Sequence, residues 1–450
     1  MRSWTRKLCT ADEIKVSQSS EIRKVYLTAT KRRAHIGIPE SNFNGYFLYL
    51  KERLMIRPEK FGGTAFSLDK NIHYCVNKDA YNVLRLIKDN SPSSFLKIAA
   101  KKYNFRSNEY GITLVNRVYN AIMAYVDSKE TASLTNAGDG ELLGDNNLVA
   151  PLRIILEIDF KRNCNLHCKF CYEDTLHDKT TDQLLSKAEI FKLIDSAKNL
   201  GVFHFQLMGG EPLVRNDIID IMQHIVEQGI AVCITTNGVL LGKYLNEFKK
   251  LNKTGLFLPI QISLHGVSPE TYHETTGNPA NTFSIVLKNL AALKTKRIPF
   301  SIKYVVTNKN WKDLPLLFKI AEKYGAKTIT LLHLLPIGGG KNEKEIVHFD
   351  TSAKKQIVKI IKDAKKSHKF YIDYRPLVAT WYPKMPSNSL EEFVDCPAGN
   401  IDMRIRADGK VLQCSAVRQE LFDLRATSLK HAWKAFNEVK VPCPTKCFVY

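Results

Sequence analysis

The chain has 450 residues, of which 44% are hydrophobic and 25% charged, and its formal net charge is +21. That balance is ordinary for a globular protein of two or three domains with a large core. No apolar run approaches the length of a membrane span, so a membrane protein is not expected. The basic start, Met1-Arg2-Ser3-Trp4-Thr5-Arg6-Lys7, has no apolar signal segment behind it, and a cytoplasmic chain is expected. Ten cysteines in that compartment point to metal or redox chemistry rather than to disulfides. The positive excess would attract a polyanion. It is dispersed, however, over Lys31-Arg32-Arg33, Lys101-Lys102 and a helix surface carrying Lys362, Lys365, Lys366 and Lys369. Solvated helix faces are the first reading, so neither a membrane nor nucleic acid is the expected partner.

In chain order, residues 1 to about 50 show no clear pattern, and Phe43 to Leu54 fits either a strand or a helix. Arg57 to Leu68 reads as a turn and a strand, Asp69-Lys70-Asn71 as turn chemistry, and Ile72 to Val76 as a second strand closing a hairpin. Asn77 stands at an N-cap position before Ala80, Leu84 and Ile87, which have helical spacing. Two further helical stretches lie around Phe95 to Tyr103 and Tyr110 to Tyr125. Cys75, within a strand, reads as a buried inert thiol. Residues 127–150 are polar and Gly-bearing without an apolar period, and read as a linker.

From Leu152 short apolar strands alternate with amphipathic helices. Strands are expected at Arg153–Asp159, Phe203–Leu207, Ala231–Thr235, Leu256–Leu264, Phe300–Val306 and Thr328–Leu332. Helices are expected near Lys187–Leu200, Asn216–Gln228, Lys243–Lys250, Thr282–Thr295, Leu314–Tyr324 and Ser352–His368. Six β/α units in series imply a parallel sheet with right-handed crossovers. In barrels of this kind catalytic groups sit on the loops after the strands' carboxyl ends.

The loop after the first strand carries Asn163-Cys164-Asn165-Leu166-His167-Cys168-Lys169-Phe170-Cys171-Tyr172. Iron–sulfur clusters are usually held by four thiolates, so three cysteines in C-x3-C-x2-C spacing point to a cluster with one iron open to another ligand. The plainer alternative is zinc or buried thiols, but zinc sites usually pair C-x2-C with a second ligand pair. The run, with Phe170 before the third cysteine, resembles the signature of the radical S-adenosylmethionine (SAM) enzymes. That resemblance implies a partial (β/α)6, TIM-like barrel over residues 151–370 and a [4Fe–4S] cluster on Cys164, Cys168 and Cys171. It also implies SAM chelated by the open iron and cleaved by one electron to a 5′-deoxyadenosyl radical.

Met208-Gly209-Gly210-Glu211-Pro212 ends the second strand. Its two glycines let backbone approach a ligand closely, and an acidic side chain there can accept from an ammonium. The segment is similar to the family's G-G-E-P motif, which implies that Gly209, Gly210, Glu211 and Pro212 hold the methionine amine of SAM. Asn237, in Thr235-Thr236-Asn237-Gly238, and Ser263, at the end of the fourth strand, resemble further SAM-site residues. An ordinary Asn-Gly turn is an equal reading for the first. His273-Glu274-Thr275-Thr276-Gly277-Asn278-Pro279 resembles a loop of peptide-modifying members, although His265 and Thr276 stand where many of those carry Asp and Arg. Lys303 and His333 are candidates to point into the barrel, and Cys233 reads as core.

Cys396 and Cys414 flank a hairpin with a turn at Asp408-Gly409 in C-x12-G-x4-C spacing, and Cys443 and Cys447 complete a set of four. Four thiolates match one closed [4Fe–4S] site or a structural zinc. The pattern resembles the SPASM and twitch extensions of radical SAM peptide maturases, which implies one auxiliary [4Fe–4S] cluster in a small C-terminal domain, residues 371–450. Within residues 1–126, residues 53–126, with Arg57-Pro58-Glu59-Lys60-Phe61-Gly62-Gly63, resemble the winged-helix-like α+β recognition domain of ribosomally made peptide pathways. There the leader of a precursor peptide adds as a strand to a sheet edge. Together the resemblances imply an α/β radical SAM maturase of a precursor peptide, forming a thioether or C–C cross-link. A small reductant protein such as flavodoxin or ferredoxin would donate the electron. Peptide epimerisation is the main rival, and an RNA-modifying radical SAM enzyme is the alternative outside peptide chemistry.

Overall fold

The computed structural model describes residues 16–18, 22–25, 43–69, 71–102, 111–112, 114–116, 118–120, 148–173, 183–334, 337–342, 348–374, 377, 401–414 and 418–438. The chain divides into two compact units, Met1–Asn147 and Leu148–Tyr450.

In the first unit a helix α1 (Phe43–Arg53) runs directly into a strand. Phe43, Phe47 and Leu50 are its buried residues; spacings of four and three put them on one helical face. The stretch that fitted either element from sequence is therefore a helix, and Leu54 is the first residue of the strand after it. The expected two-stranded hairpin is a three-stranded antiparallel meander, and two shorter strands extend it. Its strands are β3 (Leu54–Glu59), β4 (Gly62–Ser67) and β5 (Ile72–Asn77), with β1 (Val16–Gln18) and β2 (Ile22–Val25) beside them in the order β1-β2-β5-β4-β3. β2 runs parallel to β5, and the other pairs are antiparallel. Asn71 takes a left-handed φ of +53° in the expected turn between β4 and β5. Helices α2 (Lys78–Asp89) and α3 (Pro92–Lys102) follow, and the described residues from 111 to 120 are helical too. Phe47, Leu50, Ala80, Leu84, Ile87, Phe95, Ala99 and Val118 share one apolar core.

The second unit is built on a ten-stranded sheet. The six expected strands are all present: β6 (Arg153–Glu157), β7 (His204–Met208), β8 (Ala231–Thr236), β9 (Ile260–Ser263), β10 (Phe300–Val306) and β11 (Thr328–His333). They lie side by side in chain order and run parallel. The fourth is shorter than its apolar run, because Phe257 makes only an isolated bridge to Val232. Between them lie α4 (Lys187–Leu200), α5 (Ile218–Glu227), α6 (Leu245–Asn252), α7 (Pro269–Thr276), α8 (Asn281–Lys296) and α9 (Leu314–Tyr324), with α10 (Thr351–Ser367) after β11. α4 begins at a capping box, Ser186 with Glu189, and ends at Gly201 in the left-handed region, a start and a stop legible in the residues.

The sheet does not end at six strands. β12 (Tyr371–Asp373) pairs parallel with β11, and β13 (Asp402–Ile405) pairs parallel with β6. The hairpin partner β14 (Lys410–Leu412) and β15 (Glu420–Asp423) continue antiparallel from β13. The expected Asp408-Gly409 turn is there, with Gly409 at φ +91°. Its strand belongs to the barrel's own sheet, joined by a partly buried ion pair of Arg153 with Asp402. A last helix, α11 (Leu429–Glu438), places Trp433 so that its indole N–H donates to the Leu148 carbonyl at 2.8 Å. Leu148 to Ala150, expected as linker, thus belong to this unit. Among the described residues no helix is long and apolar enough to cross a membrane.

Candidate active site

A cavity of about 270 Å³ opens where the parallel strands end, lined by residues from the loops and strand ends of β6 through β11. Cys164, Cys168, Cys171, Gly209, Gly210, Glu211, Asn237 and Ser263 all border it, as do Lys303 and His333. Residues spread over a long stretch of sequence are gathered because each ends a neighbouring parallel strand. Pro212 is buried and opens the short turn Pro212–Val214, but it does not border the cavity. Cys414 is half-buried elsewhere in the unit. Cys396, Cys443 and Cys447 lie outside the described residues, as do residues 127–147 of the expected linker.

The cysteine loop is held by backbone contacts rather than by its own secondary structure. The amides of His167 and Lys169 donate to the carbonyls of Thr276 and Thr275, at 3.2 and 3.1 Å, at the end of α7. The stretch His273–Thr276 expected as loop is therefore the last turn of a helix, closed by Gly277 at φ +69°. Asn165 is fixed from two sides: Asn237 Nδ2 donates to its Oδ1 at 2.8 Å, and Asn278 Nδ2 to its carbonyl at 3.1 Å. Gly339 N donates to the Cys171 carbonyl at 2.8 Å, and a Cβ on Gly338 or Gly339 would strike the backbone of residues 169–172.

Burial pushes the Cys164 thiol up to about 12. An apolar pocket disfavours a bare thiolate, so a positive group bound there would be needed to hold it ionised. No three His, Cys, Asp or Glu side chains among the described residues gather as around a single metal ion. The three thiols stand around a cavity instead, none in a disulfide. Three soft donors on one loop facing enclosed space fit a cluster that takes three thiolates.

The Gly209-Gly210 turn is built for close approach. Both residues have positive φ, +85° and +52°. A Cβ at Gly209 would lie 2.6 Å from Glu157 Cβ, and one at Gly210 would lie 2.5 Å from the Phe160 carbonyl oxygen. Glu211 is buried, and its carboxylate has three donors inside the protein. Oε1 accepts from Leu213 N at 3.1 Å and from Thr236 Oγ1 at 2.6 Å, and Oε2 accepts from Asn237 N at 2.8 Å. Its expected role as acceptor for an ammonium is thus shared with a structural one, bracing the loop after β8. Burial raises its pKa to about 7 against those three bonds.

A second carboxylate, Glu173, belongs to none of the motifs read from the sequence. It follows Tyr172 just past the third cysteine, is buried and borders the cavity, and its Oε1 accepts from Gly210 N at 2.8 Å. Burial, then repulsion from Glu157, raises its pKa to about 7. Glu157 ends β6 beneath the glycine turn and is held by two arginines from the C-terminal segment, Arg404 and Arg418. A Glu closing a continuously buried apolar strand was the available signal, but its partners lie more than 240 residues away in sequence. On the opposite wall His265 packs edge-on against Phe170 at 5.6 Å, and burial lowers its pKa to about 4, so the imidazole is neutral. Deeper in the barrel Gln206 Nε2 donates to Thr235 Oγ1 and Gln261 Oε1. Cys233 is core, as expected, with burial raising its pKa to about 11.

Residues 158–321 match the sequence model of the Radical SAM superfamily. A relative named "Probable GTP 3',8-cyclase" from Saccharolobus islandicus (strain M.14.25 / Kamchatka #1) is 29% identical over 278 residues, 60% of this chain and 85% of that protein. Among solved structures, Streptococcus suis SuiB bound to SAM superposes with a TM-score of 0.61 at 18% identity, covering 85% of this chain and 87% of that one. SuiB bound to its precursor peptide SuiA also gives 0.61, at 17% identity, over 86% and 89%. These superpositions cover more of the chain than Leu148–Tyr450 makes up, so the likeness of fold reaches into the first unit. The matched domain carries the cysteine loop and the glycine turn that meet at the cavity, and the chain is a radical SAM enzyme, whose chemistry implies a [4Fe–4S] cluster and SAM.

Proposed function

We propose that the chain is a radical SAM maturase of a ribosomally made precursor peptide, forming a thioether or C–C cross-link. The observation that carries the reading is the first unit. It is a separate, well-packed domain with a small, mostly antiparallel sheet, which cleavage of SAM does not require. An exposed sheet edge is a surface to which an extended leader can add by main-chain hydrogen bonds. The likeness to SuiB, solved with a precursor peptide, supports the assignment of residues 53–126 as the recognition domain.

In this reading Cys164, Cys168 and Cys171 would hold the cluster, which when bound would supply the electron for cleavage of SAM to a 5′-deoxyadenosyl radical. Gly209 and Gly210 present backbone to the methionine amine, Glu211 and Asn237 brace the turn and the cysteine loop, and Ser263 contacts SAM from β9. Pro212 acts from behind, by starting the turn that seats Glu211. Lys303, His265 and His333 face the incoming substrate. Cys396, Cys414, Cys443 and Cys447 would hold one auxiliary [4Fe–4S] cluster, which would supply an electron acceptor, and flavodoxin or ferredoxin would be the electron donor. The protein's part is orientation and exclusion of water.

The sequence relative favours a second reading, cyclisation of a purine nucleotide. One experiment separates the two. The anaerobically reconstituted, reduced enzyme is incubated with SAM in deuterated buffer, once with GTP and once with candidate precursor peptides. Loss of two hydrogens from a peptide by intact mass supports cross-linking. Gain of one non-exchangeable deuterium identifies epimerisation instead. Conversion of GTP with every peptide untouched overturns the maturase reading.

A further inference from the structure

Arg418 sits at a point where two parts of the second unit are fastened together. Its guanidinium grips Glu157 with two parallel bonds, Nη1 to Oε1 at 2.8 Å and Nη2 to Oε2 at 2.9 Å. Such a forked pair fixes direction as well as distance. Arg404, from β13, adds a longer bond from Nη1 to Glu157 Oε1 at 3.3 Å and sends Nη2 to Met208 Sδ at 3.0 Å. Both guanidinium groups stand over the Tyr172 ring, at 5.4 and 5.6 Å from its centroid. Glu157 in turn underlies Gly209, and Glu173, next to Tyr172, holds Gly210 N. The two glycines that would meet SAM thus rest on a buried group of two carboxylates, two arginines and one phenol.

The backbone of Arg418 gives an independent sign that this position is held on purpose. It has φ +53° although it is not glycine, a conformation that persists only where surrounding contacts over-determine it. Its amide donates to the Cys414 carbonyl at 3.1 Å. One backbone hydrogen bond therefore links Cys414 to the residue whose guanidinium grips Glu157.

We propose that Arg418 is a positioning residue for SAM: through Glu157 it sets the Gly209-Gly210 turn, and it ties that turn to the segment bearing Cys414. Ligation at Cys414 would then be felt at the SAM site without any contact between the two. The proposal rests on the radical SAM chemistry and, for the effect of Cys414, on the auxiliary-cluster reading above, and not on the identity of the substrate. Lysine keeps the charge but cannot make the fork, so Arg418→Lys separates geometry from charge.

The test uses the full-length, reconstituted enzyme. SAM is titrated into the reduced protein, and half-saturation is read from the change in the cluster's electron paramagnetic resonance spectrum. KM and kcat for 5′-deoxyadenosine formation are measured in parallel. Arg418→Lys is expected to raise the half-saturating SAM concentration and KM about tenfold while kcat changes less, the pattern of lost ground-state placement. Cys414→Ser is expected to shift SAM half-saturation in the same direction, and the double variant to fall short of the product of the two. If Arg418→Lys lowers thermal stability but leaves SAM half-saturation at the parent value, Arg418 is structural only and the proposal fails. If the two single effects multiply, the link to Cys414 fails. Should Arg418→Lys not fold, Arg404→Lys removes the weaker grip on the same carboxylate. It must then raise SAM half-saturation, by a smaller factor; no shift overturns the proposal.

Discussion

The core of the first unit and the mouth of the barrel use burial for opposite ends. The core around Phe47, Leu50 and Phe95 is assembled from apolar side chains, and each contributes stability in proportion to the area it removes from water. The barrel mouth buries Glu157, Glu173, Glu211 and Arg404. Buried charges are costly even when paired, and apolar residues of the same volume would often stabilise as well or better. What the charged groups add is placement, since a carboxylate with three donors or a forked arginine has few orientations open to it. The comparison says which unit should respond to lost volume and which to lost geometry.

The largest expected effect is at the cysteine loop. Cys164→Ala should bring 5′-deoxyadenosine formation to background, while the first unit keeps its fold by circular dichroism; turnover near the parent level would remove the loop from the chemistry. Next comes the apolar core. Phe47→Ala should destabilise the first unit by about 3–5 kcal/mol, seen as an early denaturation step, and leave cleavage of SAM without peptide near the parent rate. A matching loss of that cleavage would mean the two units are not separable in this way.

The third effect is a pH slope. Glu211 ionises at about 7 in the folded protein against an ordinary 4.5, so between those values the folded state holds more protons than the unfolded one. The stability that Glu211 contributes is then greatest at the acid end and is lost as pH rises through about 7, by roughly 3 kcal/mol at most. Glu211→Gln should flatten that slope in urea titrations at pH 5 and pH 7.5 and lose stability at pH 5, because the amide nitrogen takes the place of one oxygen and cannot accept the Asn237 N–H that Oε2 receives. An unchanged slope would assign it to other groups. The last change is Gly210→Ala, where the left-handed backbone alone costs about 1–3 kcal/mol and the new Cβ would also press on the Phe160 carbonyl oxygen. The effect on SAM should be disproportionate, with KM raised more than tenfold; a normal KM would show that the turn does not approach SAM.

Much of the site was readable from residues because its parts are local. The cysteine spacing, the glycine pair and the strand ends each depend on a few neighbouring positions, and β/α alternation told which strand ends meet. The parallel sheet followed from the alternation and the right hand of its crossovers, and the chain order of β6 through β11 from the resemblance to partial radical SAM barrels. The elements that were misread depend on distant partners. Phe43–Leu54 had apolar spacing compatible with either structure, and only packing against α2, α3 and residues beyond 111 makes it a helix. β13 looked like half of an isolated hairpin because nothing in Asp402–Ile405 shows that its far edge pairs with Arg153–Glu157.

By itself the sequence determined the chemistry of this protein: three thiols on one loop, a glycine turn one unit later, and six strands to bring them together. Local spacing and alternation suffice for that, since each is a property of a short stretch of chain. Only the tertiary structure decided what holds those parts in place. Glu173 on Gly210, Glu211 on the loop after β8, and Arg418 on Glu157 are contacts between segments far apart in the chain. Their partners are selected by which side chains meet in a low-dielectric interior where an unpaired charge is too costly to remain. That selection leaves no periodic trace in the residues.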